Sequence, residues 1–220
     1  MSIAKQRLII ISAGSFGREI CAMAWAIQTT LGPSCPWHVT GFLDDRPSLL
    51  DDKDPTGAPI LANPETYQPS DHDRFICAVG DPQRRQHYAQ LIADKGGQFL
   101  PLTWPGSLLA GHGARRGPGS VVGPFCLISS DVTLGAHTMI VAHTTIGHDV
   151  TIGSCSHIGA YVFVGGGAAI GDRVTIHPHA CILPGAVIED DATVGAGSVV
   201  LKRVPRGQTV FGVPALPVKA

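Results

Sequence analysis

Apolar residues in the first hundred positions form runs that alternate between strand-like and helix-like composition. Continuous apolar or β-branched runs predict strands at 8–12, 38–45 and 74–81, and helix-forming stretches predict helices at 18–31 and 82–96. The proline-rich segment between the second and third of these strands predicts a loop with one short strand. Alternating strands and helices are typical of a small parallel sheet covered by helices.

A six-residue period replaces this alternation from about residue 107. Every sixth residue from Val122 to Val200 is aliphatic, and glycine directly follows eight of these fourteen aliphatic residues. A period of six indicates a parallel β-helix, in which each hexapeptide forms one short strand and one turn, the aliphatic residue fills the interior and glycine permits the corner. Three hexapeptides complete a coil, so residues eighteen apart stack at about 4.8 Å. About five coils are expected before the period breaks at Arg116 and Arg206.

The change of pattern predicts two domains. Residues 1–106 are expected to form an α/β amino-terminal βαβ (half-Rossmann-like) domain, and residues 107–220 a parallel β-helix of hexapeptide repeats. The flat faces of such a prism carry few charges, which favours packing against copies of the same chain.

Composition excludes several classes of partner. With 16 basic and 17 acidic residues the net charge is -1, so no field attracts nucleic acid or an anionic membrane. The apolar run LIII is short and is followed by charged residues, which favours a buried strand over a signal peptide, and no segment reaches membrane-spanning length. Six cysteines without a C-x-x-C pair favour reduced thiols and a cytoplasmic location. Partners are therefore expected to be small molecules or other subunits.

Three histidines lie in the stretch AHTTIGHDVTIGSCSHIG, and the six-residue register separates them. His148 is predicted at an exposed corner, and His157 is predicted to point outward from a face. His143 stacks with Tyr161 and His179, which predicts a polar ladder.

The corner of His148 has the composition of an acid/base site. A neighbouring carboxylate, here Asp149, raises the basicity of an imidazole, so His148 could act as a general base. Gly166 is predicted one coil away, where its backbone N–H could face a developing oxyanion. A solvated corner residue beside a tight turn is the alternative interpretation.

A metal site is the second interpretation of the same histidines. The trimeric β-helix carbonic anhydrases hold zinc between subunits with three histidines, two of them five residues apart, and His143 and His148 have that spacing. No third ligand is evident, since His112 lies outside the regular repeat.

A ligand site is also predicted in the amino-terminal domain. The turn SAGSFG has Ser12 where the first glycine of G-x-G-x-x-G would stand, and one βαβ unit suits a mononucleotide better than a dinucleotide. Backbone N–H groups at the start of the following helix can face an anion, and carboxylates at the end of the second strand can accept ribose or base hydrogen bonds. The candidate residues are Gly14, Ser15, Phe16, Asp44, Asp45 and Gly80.

Together these features resemble the bacterial sugar acetyltransferases of the sialic-acid O-acetyltransferase and UDP-amino-sugar N-acetyltransferase type. The resemblance rests on GHDVTIGSCSHIGAYVFVGG, the hexapeptide array, FGVPA at 211–215, SAGSFGRE and GFLDD at 41–45. It implies a left-handed β-helix, a homotrimer, and acetyl-CoA in the groove between neighbouring prisms, without a metal. It also implies that the amino-terminal domain holds the UDP portion of the substrate.

The same resemblance implies roles for individual residues. His148 would be the general base, and Asp149 would raise its basicity. The implied acetyl-CoA contacts are His157, Gly166, Pro178 and Ala196. Two positions depart from the family pattern, since Phe16 replaces a histidine found in some members and His177 stands where glycine is usual. Lys202, Arg203 and Arg206 could meet the CoA phosphates.

The predicted function is therefore acetyl transfer from acetyl-CoA to a nucleotide-linked amino sugar for bacterial surface-glycan synthesis. O-acetylation of the sialic-acid type is the close alternative. An interfacial zinc hydratase is the alternative from a different class.

Overall fold

The computed structural model describes residues 5–50, 57–109 and 113–218. It divides the chain into two compact units, Met1–Leu100 and Pro101–Ala220. Leu102–Thr103 already pairs with Val121–Val122 of the β-helix, so the second unit begins a few residues before the predicted residue 107.

The first unit is a five-stranded sheet with two long helices, which confirms the predicted βαβ architecture. All of its strand pairs are parallel, in the order β3-β2-β1-β4-β5. Its elements are β1 (Gln6–Ile11), α1 (Ser15–Leu31), a 3₁₀ turn (Gly32–Ser34), β2 (Trp37–Leu43), β3 (Ile60–Ala62), β4 (Asp73–Cys77), α2 (Pro82–Asp94) and β5 (Gln98–Phe99).

The sheet leaves a crevice at the carboxyl end of β1. The chain runs from β1 to β2 and β3 on one side and then crosses to β4 on the other side, which makes this edge a topological switch point where ligands bind in open α/β sheets. Helix α1 packs tightly against this edge, because a Cβ on Gly17 would overlap the carbonyl oxygen of Ser12. The close approach fixes the turn between β1 and α1.

The second unit is a parallel β-helix, as predicted, and its hexapeptide repeat is consistent with the left-handed form. Its strands are β6 (Leu102–Thr103), β7 (Leu108–Leu109), β8 (Arg115–Arg116), β9 (Val121–Val122), β10 (Leu127–Ile128), β11 (Thr133–Leu134), β12 (Met139–Ile140), β13 (Thr145–Ile146), β14 (Thr151–Ile152), β15 (His157–Ile158), β16 (Phe163–Val164), β17 (Ala169–Ile170), β18 (Thr175–Ile176), β19 (Cys181–Ile182), β20 (Val187–Ile188), β21 (Thr193–Val194), β22 (Val199–Val200), β23 (Arg203–Val204), β24 (Thr209–Phe211) and β25 (Leu216–Pro217).

These strands form three faces of a prism. Face I contains β6, β9, β12, β15, β18, β21, β24 and β25; face II contains β7, β10, β13, β16, β19 and β22; and face III contains β8, β11, β14, β17, β20 and β23. The chain visits the faces in this order, so we name the turns between them the I–II, II–III and III–I corners. Strand partners lie eighteen residues apart through most of the prism, as Thr145 and Phe163 do.

The interior of the prism is apolar, with a few hydroxyl groups that satisfy corner carbonyls. The aliphatic residue of each complete repeat from Val122 to Val200 is buried. Thr144 Oγ1 donates to the carbonyl oxygen of Gly159 at 2.7 Å, and Ser156 Oγ donates to that of Gly171 at 2.8 Å. Because an unpaired buried carbonyl is costly, these small polar residues are part of the core rather than gaps in it.

The repeated glycines have a different role from the predicted one. The left-handed backbone conformation falls three residues after the aliphatic position, where non-glycine residues such as Asp149 (φ 58°) and Tyr161 (φ 58°) adopt it. The glycine directly after the aliphatic residue lies against the next coil, and a Cβ on Gly147 would come within 2.7 Å of the Gly166 backbone nitrogen. The expectation that these glycines permit the corner by conformational freedom was wrong. They permit close stacking of coils.

The prism also extends beyond both predicted limits. Arg116 lies in β8, which pairs with β11 in register, so the period does not break there. At the other end Val187 pairs with Arg203, sixteen residues away, because the II–III corner of the last coil is shortened to Leu201 and Lys202. The six-residue period fails there, yet coiling continues to β24.

Candidate active site

The II–III corner after β13 brings His148 and Asp149 into direct contact. His148 Nδ1 lies 2.7 Å from Asp149 Oδ2, and the two side chains are 70% and 66% exposed. The position of His148 at an exposed corner agrees with the register derived from the period. A carboxylate can only accept a hydrogen bond, so a neutral imidazole donates to it through Nδ1 and keeps Nε2 as an acceptor.

The ring of His148 lies over Gly166 of the next coil. A Cβ on Gly166 would fall 2.7 Å from His148 Nε2 and 2.8 Å from its Cε1, so only glycine leaves room for this ring position. Gly167 N–H donates to the His148 carbonyl oxygen at 2.8 Å and holds the two corners together. Within the described residues the N–H of Gly166 has no acceptor. His148 Nε2, which can accept a proton, and the Gly166 N–H, which can donate a hydrogen bond, therefore lie next to each other.

The other predicted cofactor contacts lie elsewhere on the same chain. His157 is in β15 on face I, and its side chain is half-buried. Pro178 and Ala196 are exposed at the I–II corner. A single chain therefore does not bring these three residues next to His148.

The I–II corner carries a continuous stack of rings. His143 and Tyr161 have ring centroids 4.8 Å apart, and Tyr161 and His179 have centroids 5.0 Å apart, with 3° between planes in both pairs. This ladder was predicted, but its further member Phe125, 5.0 Å from His143, was missed. His143 and His148 occupy different corners, and among the described residues no three acidic, cysteine or histidine side chains converge on a metal position.

A cavity of about 260 Å³ opens at the switch point of the amino-terminal sheet. Of the residues predicted to bind a ligand there, Asp44, Asp45 and Gly80 line it. Gly14, Ser15 and Phe16 are not among the lining residues; Gly14 caps α1, and the other two form its first turn.

Asp44 is engaged within the protein. Its carboxylate accepts from Ala13 N–H at 2.8 Å and from Arg46 Nε and Nη2 at 2.8 and 3.0 Å. Burial alone would raise the pKa of Asp44, but these hydrogen bonds and the charge of Arg46 hold it below its ordinary value. Asp44 therefore fixes the β1–α1 turn against the end of β2. The side chain of Asp45, 54% exposed, has more capacity to accept from a ligand.

Sequence reasoning missed several further residues of the cavity wall, including Arg46, Arg84 and Tyr88. Arg46 directly follows the acidic pair, which is the one local signal for it. Arg84 and Tyr88 lie on α2, and only the packing of that helix beside the crevice brings them to the cavity.

The three basic residues near the end of the prism differ in their pairing. Arg203 Nε donates to Glu189 at 2.8 Å, and Arg206 Nη2 lies 2.6 Å from Asp190. The Arg206 backbone N–H and the Arg203 side chain lower the pKa of Glu189. Lys202 is exposed and has no acidic partner within the described ranges.

Two family models match separate parts of the chain. The PglD N-terminal domain model matches residues 7–92, and the bacterial transferase hexapeptide (six repeats) model matches residues 149–184 and 167–202. No curated protein matches the sequence.

Several solved structures share the fold over nearly the whole chain. PerB from Caulobacter crescentus in complex with CoA and GDP-perosamine is 24% identical, with a TM-score of 0.84 and 100% of both chains covered. The acetyltransferase domain of PglB from Neisseria gonorrhoeae FA1090 in complex with acetyl coenzyme A is 24% identical, with a TM-score of 0.76 and 98% and 100% covered. WeeI from Acinetobacter baumannii AYE is 25% identical, with a TM-score of 0.65 and 96% and 99% covered.

The matches to family models and to solved structures both agree with the two-domain architecture described above. Both domains are matched in the order in which the chain presents them, and the solved structures contain both. Residues 7–92 therefore resemble the PglD N-terminal domain and residues 149–202 the bacterial transferase hexapeptide repeat, and the chain combines the two in this order.

Proposed function

We propose that this protein transfers an acetyl group from acetyl-CoA to the amino group of a nucleotide-linked sugar. The observation that carries the proposal is the contact of His148 with Asp149 on one side and with Gly166 on the other. A general base and a backbone donor stand together there, and among the described residues no nucleophilic side chain lies in the contact between His148 and Gly166. This arrangement suits direct transfer between two bound substrates.

The reaction follows from the two nitrogen atoms of His148. The sugar amine attacks the thioester carbonyl carbon while His148 Nε2 takes its proton, and Asp149 stabilises the resulting imidazolium through Nδ1. The carbonyl oxygen becomes an oxyanion that accepts from Gly166 N–H. Collapse of the tetrahedral species breaks the carbon–sulfur bond, and the proton on His148 passes to the CoA thiolate. The products are an N-acetylated sugar and CoA.

A homotrimer completes the site in this proposal. The outward side chains of face II are mostly apolar; they are Leu108, Leu127, Thr145, Phe163, Cys181 and Val199. If face II of each prism points to a threefold axis, the II–III corner of one copy meets the I–II corner of the next. His148 then faces Pro178 and Ala196 of a neighbour, with His157 on the adjoining face, so acetyl-CoA lies between two copies.

The cavity of the amino-terminal domain is the proposed site for the nucleotide. It lies at the switch point where such sheets bind ligands, and Asp45 and Gly80 are open to it. PerB has been solved with CoA and GDP-perosamine, and the PglB domain with acetyl coenzyme A, which supports acetyl-CoA and a nucleotide-linked sugar as ligands here. We place the reaction in the cytoplasm, where free cysteines such as the six in this chain stay reduced.

The test is acetyl transfer to a panel of UDP-, dTDP- and GDP-linked amino sugars, with free amino sugars and hydroxyl acceptors included. We expect N-acetylation of a nucleotide-linked sugar by the wild type and no measurable turnover by His148→Ala, with the oligomer intact. His72→Ala is the matched control, because His72 is exposed in the amino-terminal unit outside the cavity wall. Full turnover by His148→Ala would exclude the base assignment. Stoichiometric zinc together with CO₂ hydration would instead favour the hydratase.

A further inference from the structure

The ring stack at the I–II corner leaves only part of Tyr161 open. His143 covers one face of its ring at a centroid distance of 4.8 Å, and His179 covers the other face at 5.0 Å, with 3° between planes in both pairs. Tyr161 is nevertheless 54% exposed. The open part is therefore the ring edge with the phenol hydroxyl, which can form hydrogen bonds but cannot stack on a ligand ring.

The same contacts fix the direction of the phenol. Tyr161 takes the left-handed conformation of its corner, at φ 58°, and its backbone N–H donates to the carbonyl oxygen of Ala142 at 3.1 Å. A ring held between two parallel rings has little rotational freedom to lose when its hydroxyl binds a ligand. Among the described residues the phenol hydroxyl has no hydrogen-bond partner. Tyr161 is thus a fixed hydrogen-bonding group that the isolated chain does not use.

The corner of His148 supplies few side chains with which to hold a sugar. Asp149 is engaged with His148 Nδ1. The next coil presents Gly166 and Gly167, which have no side chains. Attack on a thioester requires the amine within about 3–3.5 Å of the carbonyl carbon, in a defined direction. Further contacts to the acceptor are therefore expected from another part of the assembly.

The proposed trimer brings Tyr161 to the level of the reaction. In it the I–II corner of one copy lies across from the II–III corner of its neighbour, and a threefold axis parallel to the prisms keeps the copies level. Tyr161 is thirteen residues after His148 and five before Gly166 in the sequence. At about 4.8 Å for each coil, it stands about 3.5 Å beyond His148 and about 1.3 Å short of Gly166 along the prism. Across the groove, the phenol therefore faces the place where the thioester carbonyl and the amine meet.

We infer that Tyr161 of one copy hydrogen-bonds the acceptor sugar beside its reacting amine, in the site built around His148 of the neighbouring copy. The inference rests on the proposed acetyl transfer and the proposed trimer, and it adds an acceptor-binding residue to them. The phenol can accept from the amine through its oxygen or donate its O–H to an adjacent sugar oxygen. His143 and His179 hold its ring in place. A site on a single chain lacks this contact.

Steady-state kinetics of Tyr161→Phe tests the contact, because phenylalanine keeps the ring stack and removes only the hydroxyl. We expect kcat/KM for the nucleotide-linked amino sugar to fall roughly three- to tenfold, as for loss of one neutral hydrogen bond. The KM for acetyl-CoA, the trimer mass and the Tm should not change. Phe125→Leu is the matched control, since it removes a ring of the same stack two coils away, at about 10 Å. It should keep the wild-type kcat/KM.

Mixed trimers test whether the contact comes from a neighbouring copy. His148→Ala and Tyr161→Phe chains are expressed together in equal amounts. If His148 and Tyr161 of one site belong to different copies, about a quarter of the sites have both residues intact. The kcat/KM of the mixture should then exceed the mean of the two separate homotrimers by about two- to fivefold. If both residues came from one chain, no intact site could form and the mixture would show the mean.

The outcomes separate this inference from the proposed function. Wild-type kcat/KM in Tyr161→Phe would overturn the inference and leave acetyl transfer standing, as would mixed trimers with only the mean activity. An equal loss in Phe125→Leu, or a lower oligomer mass in Tyr161→Phe, would show a structural effect of the stack and also overturn the inference. If the wild type acetylates none of the sugars tested, the proposed function fails and this inference fails with it.

Discussion

The imidazole of His148 lies directly over the Cα of Gly166, so close that a single methyl group at Gly166 would fall 2.7 Å from Nε2. The two residues are eighteen apart in sequence and adjacent in space because the coils stack. A substitution at Gly166 is therefore expected to displace the proposed base, although His148 itself is not substituted.

Gly166→Ala is expected to lower kcat by about a hundredfold or more, since it displaces the imidazole and crowds the proposed oxyanion donor. Steady-state kinetics with acetyl-CoA measures this effect. Gly207→Ala is the control, because its Cβ would meet nothing within 4 Å, although its φ of +67° adds backbone strain of about 1–2 kcal/mol. The control should lower the Tm and keep kcat. Wild-type kcat in Gly166→Ala would contradict the assigned position of the base.

Asp149→Asn tests whether Asp149 fixes the tautomer of His148 in which Nδ1 carries the proton and Nε2 is the acceptor. An amide can present either its oxygen or its NH₂ group to Nδ1, so the imidazole loses its fixed orientation, and kcat should fall by about tenfold or more with little change in KM. The fold should survive, because asparagine tolerates the left-handed conformation at φ 58° and an ion pair this exposed contributes little stability. Circular dichroism and Tm check the fold. An unchanged kcat would remove Asp149 from the mechanism.

Substitutions of Asp44 and Asp45 are expected to affect different properties. The Asp44 variant should lose stability, and the Asp45 variant should bind the nucleotide sugar less well. The pKa of Asp44 in the folded protein lies below its ordinary value of 3.8, so its ionised form stabilises the fold above that pH, and the contribution is lost as the pH falls through the folded value. Asp44→Asn should therefore lower the Tm at neutral pH, and its deficit relative to the wild type should shrink below about pH 4.

Asp45→Asn is the paired variant, measured by thermal unfolding between pH 2 and 7 and by KM for the nucleotide sugar. It should keep the Tm and raise KM, because its side chain faces the cavity and holds little of the fold together. The reverse assignment, with Asp45→Asn unstable and Asp44→Asn impaired only in KM, would overturn the division of roles.

Phe163→Glu tests the proposed oligomer. Phe163 is 43% exposed on face II, and a carboxylate there would be buried against neighbouring copies, so the trimer should dissociate and turnover should be lost together. Light scattering after size exclusion measures the mass. Val187→Glu on face III, where Val187 is 40% exposed, should leave mass and turnover unchanged. A trimeric and active Phe163→Glu protein would exclude face II from the interface.

The β-helix could be predicted closely because the sequence pattern that specifies it is local and periodic. Each aliphatic residue specifies its own inward position, and the exposed corner of His148 follows by counting from Ile146. Counting in steps of six residues failed at the corner of Leu201 and Lys202. That corner is shorter than the others, although the chain continues to coil beyond it. The role of the repeated glycines was also misjudged, because the contact that requires them comes from the next coil and is not visible within one hexapeptide.

The cavity of the amino-terminal domain was less predictable for a related reason. The turn after the first strand and the ends of the other strands indicated its place, and Asp45 and Gly80 were named from their position at strand ends. Arg84 and Tyr88 reach it only through the packing of α2, which no local pattern encodes. Asp44 looked like a free acceptor in the sequence, but the hydrogen bond from Ala13, thirty-one residues away, engages it.

The left-handed corner residues have a consequence for how such a protein can acquire new chemistry. Each coil turns through three corners, and at most of them an ordinary side chain such as Asp149, His143 or Arg173 occupies the strained position and points away from the core. Exchange of one corner side chain therefore leaves the aliphatic interior untouched. Corner residues at equivalent positions of successive coils stack above one another. Reactive groups, ring stacks and salt bridges can therefore be altered separately in different stacks, while the β-helix keeps its shape.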